Sequence, residues 1–233
     1  MEIDYKNIKV IGFDADDTLW VNETYFRDAE EAFASLLDGY ETKNKIDQEL
    51  FKMEMKNLAL YGYGIKGFVL SMIESALDLS NNKVAPKTLT DILNIGKNMI
   101  SHPVELLEDV EEVLKALSKK YRLIVLTKGD LLDQERKLER SNLSEYFHHV
   151  EVLSDKREQN YQNLLDHLEV DVNEFLMVGN SLKSDVLPLV NIGAKAIHVP
   201  FHTTWQHEEV NDDATNGKTY QTLNGLKELL KLL

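Results

Sequence analysis

Five short apolar runs along the chain have the pattern of buried β-strands. They are Ile8–Phe13, Arg122–Thr127, His149–Leu153, Phe175–Gly179 and Ala196–Pro200. Several runs are continuously apolar and rich in β-branched residues, which is typical of strands covered on both faces in a parallel sheet. Helical spacing of apolar residues follows in Val104–Leu117, Leu131–Leu143 and Asn160–Leu168. Strands that alternate with helices predict an α/β fold, Rossmann-like, with a doubly wound parallel sheet.

The gap between the first and second predicted strands is much longer than a single crossover helix requires. Apolar residues recur at helical spacing through most of it, from about Tyr25 to Ile100. Turn-forming residues interrupt that spacing at Gly62, Gly64, Asn81, Asn82 and Pro86. This punctuation predicts four helices inserted into the α/β fold.

The length and composition fit an interrupted fold of this kind. The chain has 233 residues, of which 43% are hydrophobic and 28% charged, as in ordinary globular proteins. That length exceeds one average domain. We therefore predict an α/β core domain of residues 1–20 and 101–233 and an inserted helical domain of residues 21–100.

The charge balance limits the classes of partner. There are 26 Lys and Arg residues against 40 Asp and Glu residues, which gives a formal net charge of -14 at pH 7. Such a surface repels polyanions, so no nucleic acid and no membrane is expected as a partner. The absence of cysteine excludes disulfides and thiol catalysis. The first residues lack the pattern of a signal peptide, so a cytoplasmic location is expected, and monomer or homodimer stays open.

Polar side chains follow four of the predicted strands, at the end of an open parallel sheet where ligands bind. They are Asp14, Asp16 and Thr18 after the first strand, Thr127 and Lys128 at the second, Lys156 after the third, and Asn180 and Asp185 after the fourth. Clustered carboxylates repel one another unless a cation lies among them. An oxygen-rich set of this kind suits Mg²⁺.

This set of residues resembles the four motifs of the haloacid dehalogenase superfamily of hydrolases, in the family's order. Asp14, Asp16 and Thr18 form the D-x-D-x-T signature, Thr127 matches the second motif, Lys156 the third, and Asp185, in the stretch GNSLKSD, the fourth. The helical insertion resembles the C1 cap of the family. The resemblance covers about Ile8 to Pro200.

The resemblance implies cleavage of a phosphate ester through an aspartyl-phosphate. Asp14 would be the nucleophile, and Asp16 would protonate the leaving oxygen and then accept a proton from water. Thr127 and Lys156 would bind the phosphoryl group, and Lys128 is a further candidate for substrate binding. Whether Lys156, Arg157 or Lys128 is the cation that pairs with the phosphate is left open.

The resemblance also implies Mg²⁺ as the cofactor. The expected ligands are the Asp14 carboxylate, the backbone carbonyl of Asp16 and the Asp185 carboxylate. Asn180 stands where the family commonly has Asp, and it offers a neutral carbonyl oxygen. Direct ligation by Asn180 stays open.

A small phosphorylated metabolite is the expected substrate, without a more specific assignment. The acid at Asp16 favours phosphate-ester cleavage over dehalogenation, because a halide needs no protonation on leaving. A phosphomutase of the β-phosphoglucomutase type, a 2-haloacid dehalogenase and a non-catalytic binding module are the alternatives. Gly62–Gly67 matches G-x-G-x-x-G, but it follows a helical pattern and is predicted to be a turn between helices.

Overall fold

The computed structural model describes residues 3–233, which divide into two compact units. One, called here the α/β unit, contains the chain up to Glu23, Val104–Lys128 and Arg136–Leu233. The other, called the helical unit, contains Thr24–Pro103 and Gly129–Glu135. Among the described residues, no helix has both the length and the apolar composition needed to cross a membrane.

A parallel sheet of six strands forms the centre of the α/β unit. Its strands are β1 Val10–Phe13, β2 Arg122–Lys128, β3 His149–Leu153, β4 Phe175–Gly179, β5 Lys195–His198 and β6 Gln221–Thr222. Their order in the sheet is β3-β2-β1-β4-β5-β6. The predicted α/β fold with a parallel sheet is confirmed, and the first five strands lie at the five apolar runs, with small shifts at their ends.

The helices alternate with these strands after a long helical insertion. In chain order they are α1 Glu23–Leu36, α2 Lys43–Tyr61, α3 Ile65–Leu79, α4 Pro86–Ser101, α5 Val110–Leu117, α6 Leu131–Ser141, α7 Glu158–His167, α8 Leu187–Asn191, α9 Asp212–Thr215 and α10 Leu229–Leu232. Helices α1 to α4 account for the four helices expected from the insertion. Gly62 and Gly64 lie between α2 and α3, as the turn interpretation of G-x-G-x-x-G predicts.

Both faces of the sheet are apolar because successive side chains of a strand point to opposite faces. In β2, Leu123 and Val125 join one buried cluster, whereas Ile124 and Leu126 join the other. Helix α5 packs in the first cluster and α7 in the second. Burial of one such side chain contributes roughly 1.5–3 kcal/mol.

The sheet order reverses at β1, which places a ligand-binding crevice at the ends of the central strands. The chain runs from β1 through β2 to β3 on one side, then crosses to β4 on the other side of β1. Phe13, the last residue of β1, is in register with Val125 of β2 and Val178 of β4. Ligands of doubly wound sheets bind beyond the carboxyl ends at such a reversal.

The helical unit has a hydrophobic core of its own. Phe33, Leu37, Met72 and Ile92 are fully buried in it. Residues 129–135 belong to this unit, although the sequence assigns them to the α/β core. Residues 129–135 join the helical unit because Asp130 lies close to Lys66 and Gly64. Lys66 donates to Asp130 Oδ1 at 2.9 Å, and the Gly64 backbone is so near that an added Cβ atom would lie 3.0 Å from the Asp130 nitrogen. Periodicity along the chain carries no signal of such contacts.

The two segments that join the inserted helices to the α/β unit, residues 19–21 and 105–107, are hydrogen-bonded to each other and are called here the linkers. The Val21 N–H donates to the Glu105 carbonyl at 2.9 Å, and the Leu107 N–H donates to the Leu19 carbonyl at 3.0 Å. Trp20 lies between these bonds and forms an antiparallel bridge with Leu106. The inserted helices therefore begin and end at neighbouring points of this unit.

Candidate active site

A buried ion triad connects the ends of three strands. Lys156, in the loop after β3, donates through Nζ to Oδ1 of Asp14, which directly follows β1. The same ammonium donates to Oδ1 of Asp185, after β4, at 2.7 Å. The Lys156 and Asp185 side chains are each 1% exposed. Arg157, the neighbouring cation, instead pairs with Asp155 on the surface.

The triad has two carboxyl groups and one ammonium group, and this balance together with burial shifts the pKa values of Asp14 and Lys156. Burial raises the pKa of Asp14 to about 7, the Lys156 ammonium opposes that rise, and Asp185 adds to it. Burial alone would lower the pKa of Lys156, but the two carboxylates raise it well above its usual value. The ammonium is thus held in its charged form, and the two buried carboxylates leave a negative charge that a further cation would offset.

Oxygen atoms of the first and fourth motifs converge beside this triad. Thr18 Oγ1 donates to Asp14 Oδ2 at 3.1 Å and accepts from the Asn180 backbone N–H at 3.1 Å. One of the two terminal atoms of the Asn180 amide, which is either its oxygen or its nitrogen, lies 3.2 Å from each of three oxygens. These are Thr18 Oγ1, the Asp16 carbonyl oxygen and Asp14 Oδ2. With nitrogen in that position the amide donates to these oxygens. With oxygen there, the oxygens repel one another unless a cation lies among them.

This donor set fits Mg²⁺, which binds oxygen ligands and takes one or two carboxylates in most protein sites. Asp14 and Asp185 supply the carboxylates, and Asp16 and Asn180 supply neutral oxygens. Between residues 3 and 233, no group of three His, Asp or Glu side chains is arranged to hold a metal ion. Any cation held here would therefore depend on the neutral oxygens as well.

The Asp16 side chain is turned toward two donors of the same unit. Trp20 Nε1 donates to Asp16 Oδ1 at 2.7 Å, and Lys137 Nζ donates to the same oxygen at 3.0 Å. Trp20 is 1% exposed, so in this structure it is a buried donor. Asp16 keeps partial access to solvent, with 21% of its side chain exposed.

Thr127 and Lys128 are the last two residues of β2. Thr127 is buried, and its hydroxyl donates to the Lys128 carbonyl at 3.2 Å. Lys128 Nζ donates to Ser184 Oγ at 2.8 Å and to Glu208 Oε1 at 2.6 Å. The ion pair neutralises Lys128, and the substrate-binding roles of Thr127 and Lys128 stay predictions.

Glu208 links the loop after β5 to the ends of β2 and β4. Its Oε2 accepts hydrogen bonds from Ser181 Oγ at 2.5 Å and Ser184 Oγ at 2.6 Å. Burial acts to raise the pKa of Glu208, but the Lys128 ammonium and these hydroxyl groups lower it to about 2. The carboxylate is thus fully ionised at neutral pH.

Sequence reasoning missed Glu208 and Lys137. Glu208 lies 80 positions from Lys128, and Lys137 lies 121 positions from Asp16. Neither belongs to one of the four motifs, and nothing in the local pattern marks either residue. His198, the last residue of β5, contacts the Asn180 carbonyl oxygen through Nε2 at 3.0 Å.

Comparison with a solved structure covers nearly the whole chain. A haloacid dehalogenase-like family hydrolase from Xanthomonas campestris is similar in structure with a TM-score of 0.85 and 36% sequence identity. The match covers 98% of this chain and 91% of that chain.

Matches to curated proteins are shorter. N-acylneuraminate-9-phosphatase from Rattus norvegicus is 33% identical over 94 residues, which cover 38% of this chain and 38% of that protein. Glyceraldehyde 3-phosphate phosphatase from Pyrococcus abyssi is 32% identical over 83 residues, 33% of this chain and 34% of that protein. The chain thus matches little more than a third of the length of these relatives.

A family comparison agrees with the motifs and with the fold. The model of the haloacid dehalogenase-like hydrolases matches residues 8–193, which include the ends of β1, β2, β3 and β4. The resemblance seen in the motifs is therefore confirmed at the level of the family. This chain belongs to the haloacid dehalogenase-like hydrolases.

Proposed function

We propose that this protein is a magnesium-dependent phosphatase that hydrolyses the phosphate ester of a small metabolite through an aspartyl-phosphate. The observation that carries the proposal is the convergence of the Asp14 carboxylate with Lys156, Asp185 and Asn180 at the reversal of the sheet. A buried carboxylate with one ammonium and several oxygen groups around it suits phosphoryl transfer, which depends on positioning and charge neutralisation.

The reaction would use two carboxylates in turn. A carboxylate oxygen of Asp14 attacks phosphorus, the bond from phosphorus to the ester oxygen breaks, and the Asp16 carboxyl group gives its proton to that oxygen. Asp16, now ionised, accepts a proton from water as the water oxygen attacks the aspartyl-phosphate. The products are an alcohol and inorganic phosphate, and both aspartates return to their starting forms.

Charge neutralisation is the role we assign to the rest of the set. Lys156 holds Asp14 in place and offsets negative charge on the phosphoryl oxygens, with Thr127 as a hydrogen-bond donor. Asp14, Asp185, Asn180 and the Asp16 carbonyl would hold Mg²⁺, which supplies Lewis-acid stabilisation of phosphoryl charge when it is bound.

The class of substrate follows from the relatives and from the charge of the protein. Both curated relatives are named as phosphatases of small phosphorylated metabolites. A net charge of -14 disfavours polyanionic substrates, whereas a small phosphate ester needs only a local positive site. We also propose that the helical unit acts as the cap domain of the family and sets substrate choice.

Substitution of the nucleophile tests the proposal. Asp14→Asn should lower the release of phosphate from p-nitrophenyl phosphate and from a panel of phosphorylated metabolites at saturating Mg²⁺ by about 10⁴-fold or more. Asp166→Asn, which changes an exposed acid of α7, is the matched control and should keep the wild-type rate. A folded Asp14→Asn variant with the wild-type rate would refute the proposal.

The same panel, with a 2-chloroacid added, separates the alternative activities. Isomerised hexose phosphate without free phosphate would indicate a phosphomutase. Chloride released from a 2-chloroacid would indicate a dehalogenase. No turnover on any ester would favour a binding module. We expect free phosphate, and only when Mg²⁺ is present.

A further inference from the structure

Lys137 contacts the proposed acid from a helix outside the four motifs. Its Nζ donates to Asp16 Oδ1 at 3.0 Å and to Asn22 Oδ1 at 2.8 Å. The Lys137 side chain is only 16% exposed, whereas the neighbouring Arg136 of α6 is exposed. Ordering a lysine side chain costs conformational entropy, which the two acceptors offset.

Lys137 and Trp20 both donate to the same oxygen, Asp16 Oδ1. Trp20 Nε1 donates to Asp16 Oδ1 at 2.7 Å, and the backbone N–H of Asp17 donates to the Trp20 carbonyl at 2.7 Å. The turn that bears Asp16 is therefore closed on itself, and Lys137 attaches it to α6. Two N–H donors on Oδ1 restrict the rotamers that the carboxyl group can adopt.

We propose that Lys137 is a positioning residue that holds Asp16 in the orientation for proton transfer to the leaving group, a role that rests on the proposed function. A general acid or base works only within hydrogen-bond reach of the proton it moves. Without Lys137, the Asp16 side chain loses one of the donors on Oδ1 and samples other rotamers more often. The loss should appear only where a proton transfer is needed.

Leaving groups of different basicity provide the test. An alkyl phosphate releases a strongly basic alkoxide that needs a proton, whereas p-nitrophenyl phosphate releases a weakly basic phenolate that does not. In Lys137→Met, kcat/KM should fall about 10- to 100-fold for the alkyl ester and less than about threefold for p-nitrophenyl phosphate. The use of kcat/KM confines the comparison to the steps up to departure of the leaving group.

Matched variants exclude structural effects. Arg136→Met removes a cation from the next position of α6 and should leave both substrates unaffected. Asn22→Ala removes the second acceptor of Lys137 and should reproduce the selective loss in weaker form, which keeps the test valid if Lys137→Met folds poorly. Thermal unfolding of each variant shows whether it is folded.

The Asp16→Asn variant separates the role of Lys137 from the role of Asp16. Asp16→Asn should show the selective loss in full. If Asp16→Asn lowers both esters equally, Asp16 is not the acid and the proposed mechanism fails. If Asp16→Asn is selective but Lys137→Met lowers both esters equally or neither, Lys137 does not position Asp16, and the inference alone is overturned.

Discussion

The carboxylate of Asp185 occupies the space that a side chain on Gly179 would need. A Cβ atom added to Gly179 would lie 2.4 Å from both Cγ and Oδ2 of Asp185. The last residue of β4 is thus glycine because the carboxylate approaches the backbone there. The same Oδ2 accepts a hydrogen bond from the Ser181 N–H at 3.0 Å, so it has little freedom to move.

Gly179→Ala should therefore displace Asp185 and break its contact with Lys156. We expect a loss of about 1–3 kcal/mol in the free energy of unfolding, from overpacking, together with weaker Mg²⁺ binding. Urea unfolding and calorimetric titration with Mg²⁺ measure the two effects. Gly225→Ala, where a Cβ would meet no atom within 4 Å, is the control and should change neither. Unchanged metal binding in Gly179→Ala would show that Asp185 can move without consequence.

Mg²⁺ binding should depend on pH through Asp14. Burial raises the pKa of Asp14 from 3.8 to about 7, so the folded protein without metal holds a proton there at lower pH. Mg²⁺ must displace that proton below pH 7. The affinity should fall about tenfold per pH unit below 7 and be constant above it.

Calorimetry in two buffers of different ionisation enthalpy would count the proton released. We expect close to one proton per Mg²⁺ at pH 5.5 and none at pH 8.5. Asp14→Asn should remove the dependence. Equal affinity at the two pH values in the wild-type protein would contradict the assignment of Asp14 as a ligand.

Asn180 limits the charge of the proposed metal site. Its side-chain amide lies 3.2 Å from Asp14 Oδ2, so Asn180→Asp would place a second negative charge beside that carboxylate. The variant should have a lower melting temperature than wild type without metal, and its affinity for Mg²⁺ should rise on the order of tenfold. Thermal unfolding over a range of Mg²⁺ concentrations measures both. An affinity for Mg²⁺ equal to that of wild type would contradict a metal site beside Asn180.

Glu208 should stabilise the folded protein only while it is ionised. Its pKa is lowered from 4.5 to about 2, so its contribution is complete above about pH 4.5 and declines as the pH falls toward 2. Glu208→Gln should cost about 3 kcal/mol at pH 7, because Lys128 loses its buried partner. Glu209→Gln, at the exposed neighbouring position, should cost almost nothing.

Urea unfolding of wild type and both variants between pH 3.5 and 7 tests this dependence of stability on pH. The difference between wild type and Glu208→Gln should be flat above pH 5.5 and shrink below 4.5. A difference that grows on acidification would mean that the carboxylate is not stabilised by Lys128.

Local pattern was sufficient for five of the six strands, the helical insertion and the family. Buried strands such as β2 and β4 are short continuous apolar runs, so their positions are visible without knowledge of the fold. Parallel strands also bring their carboxyl ends to one edge, which is why Asp14, Lys156 and Asp185 could be grouped before any contact was known.

Contacts between distant positions could not be predicted in this way. The pairs Lys137 with Asp16 and Glu208 with Lys128 depend on how α6 and the loop after β5 fold back onto the sheet. Polar residues in such segments have no periodicity, so a residue that faces solvent and one that faces the site have the same local pattern. Residues 129–135 group with the helical unit through contacts of the same kind.

The paired linkers have an evolutionary consequence. Because Val21 and Glu105 are hydrogen-bonded neighbours, the chain between them begins and ends almost at one place, whatever its length. An insertion of this geometry can be lengthened, shortened or exchanged while the residues at the strand ends stay in place. If the helical unit sets substrate choice, as we propose, new preferences can arise in the helices without any change to the proposed catalytic groups.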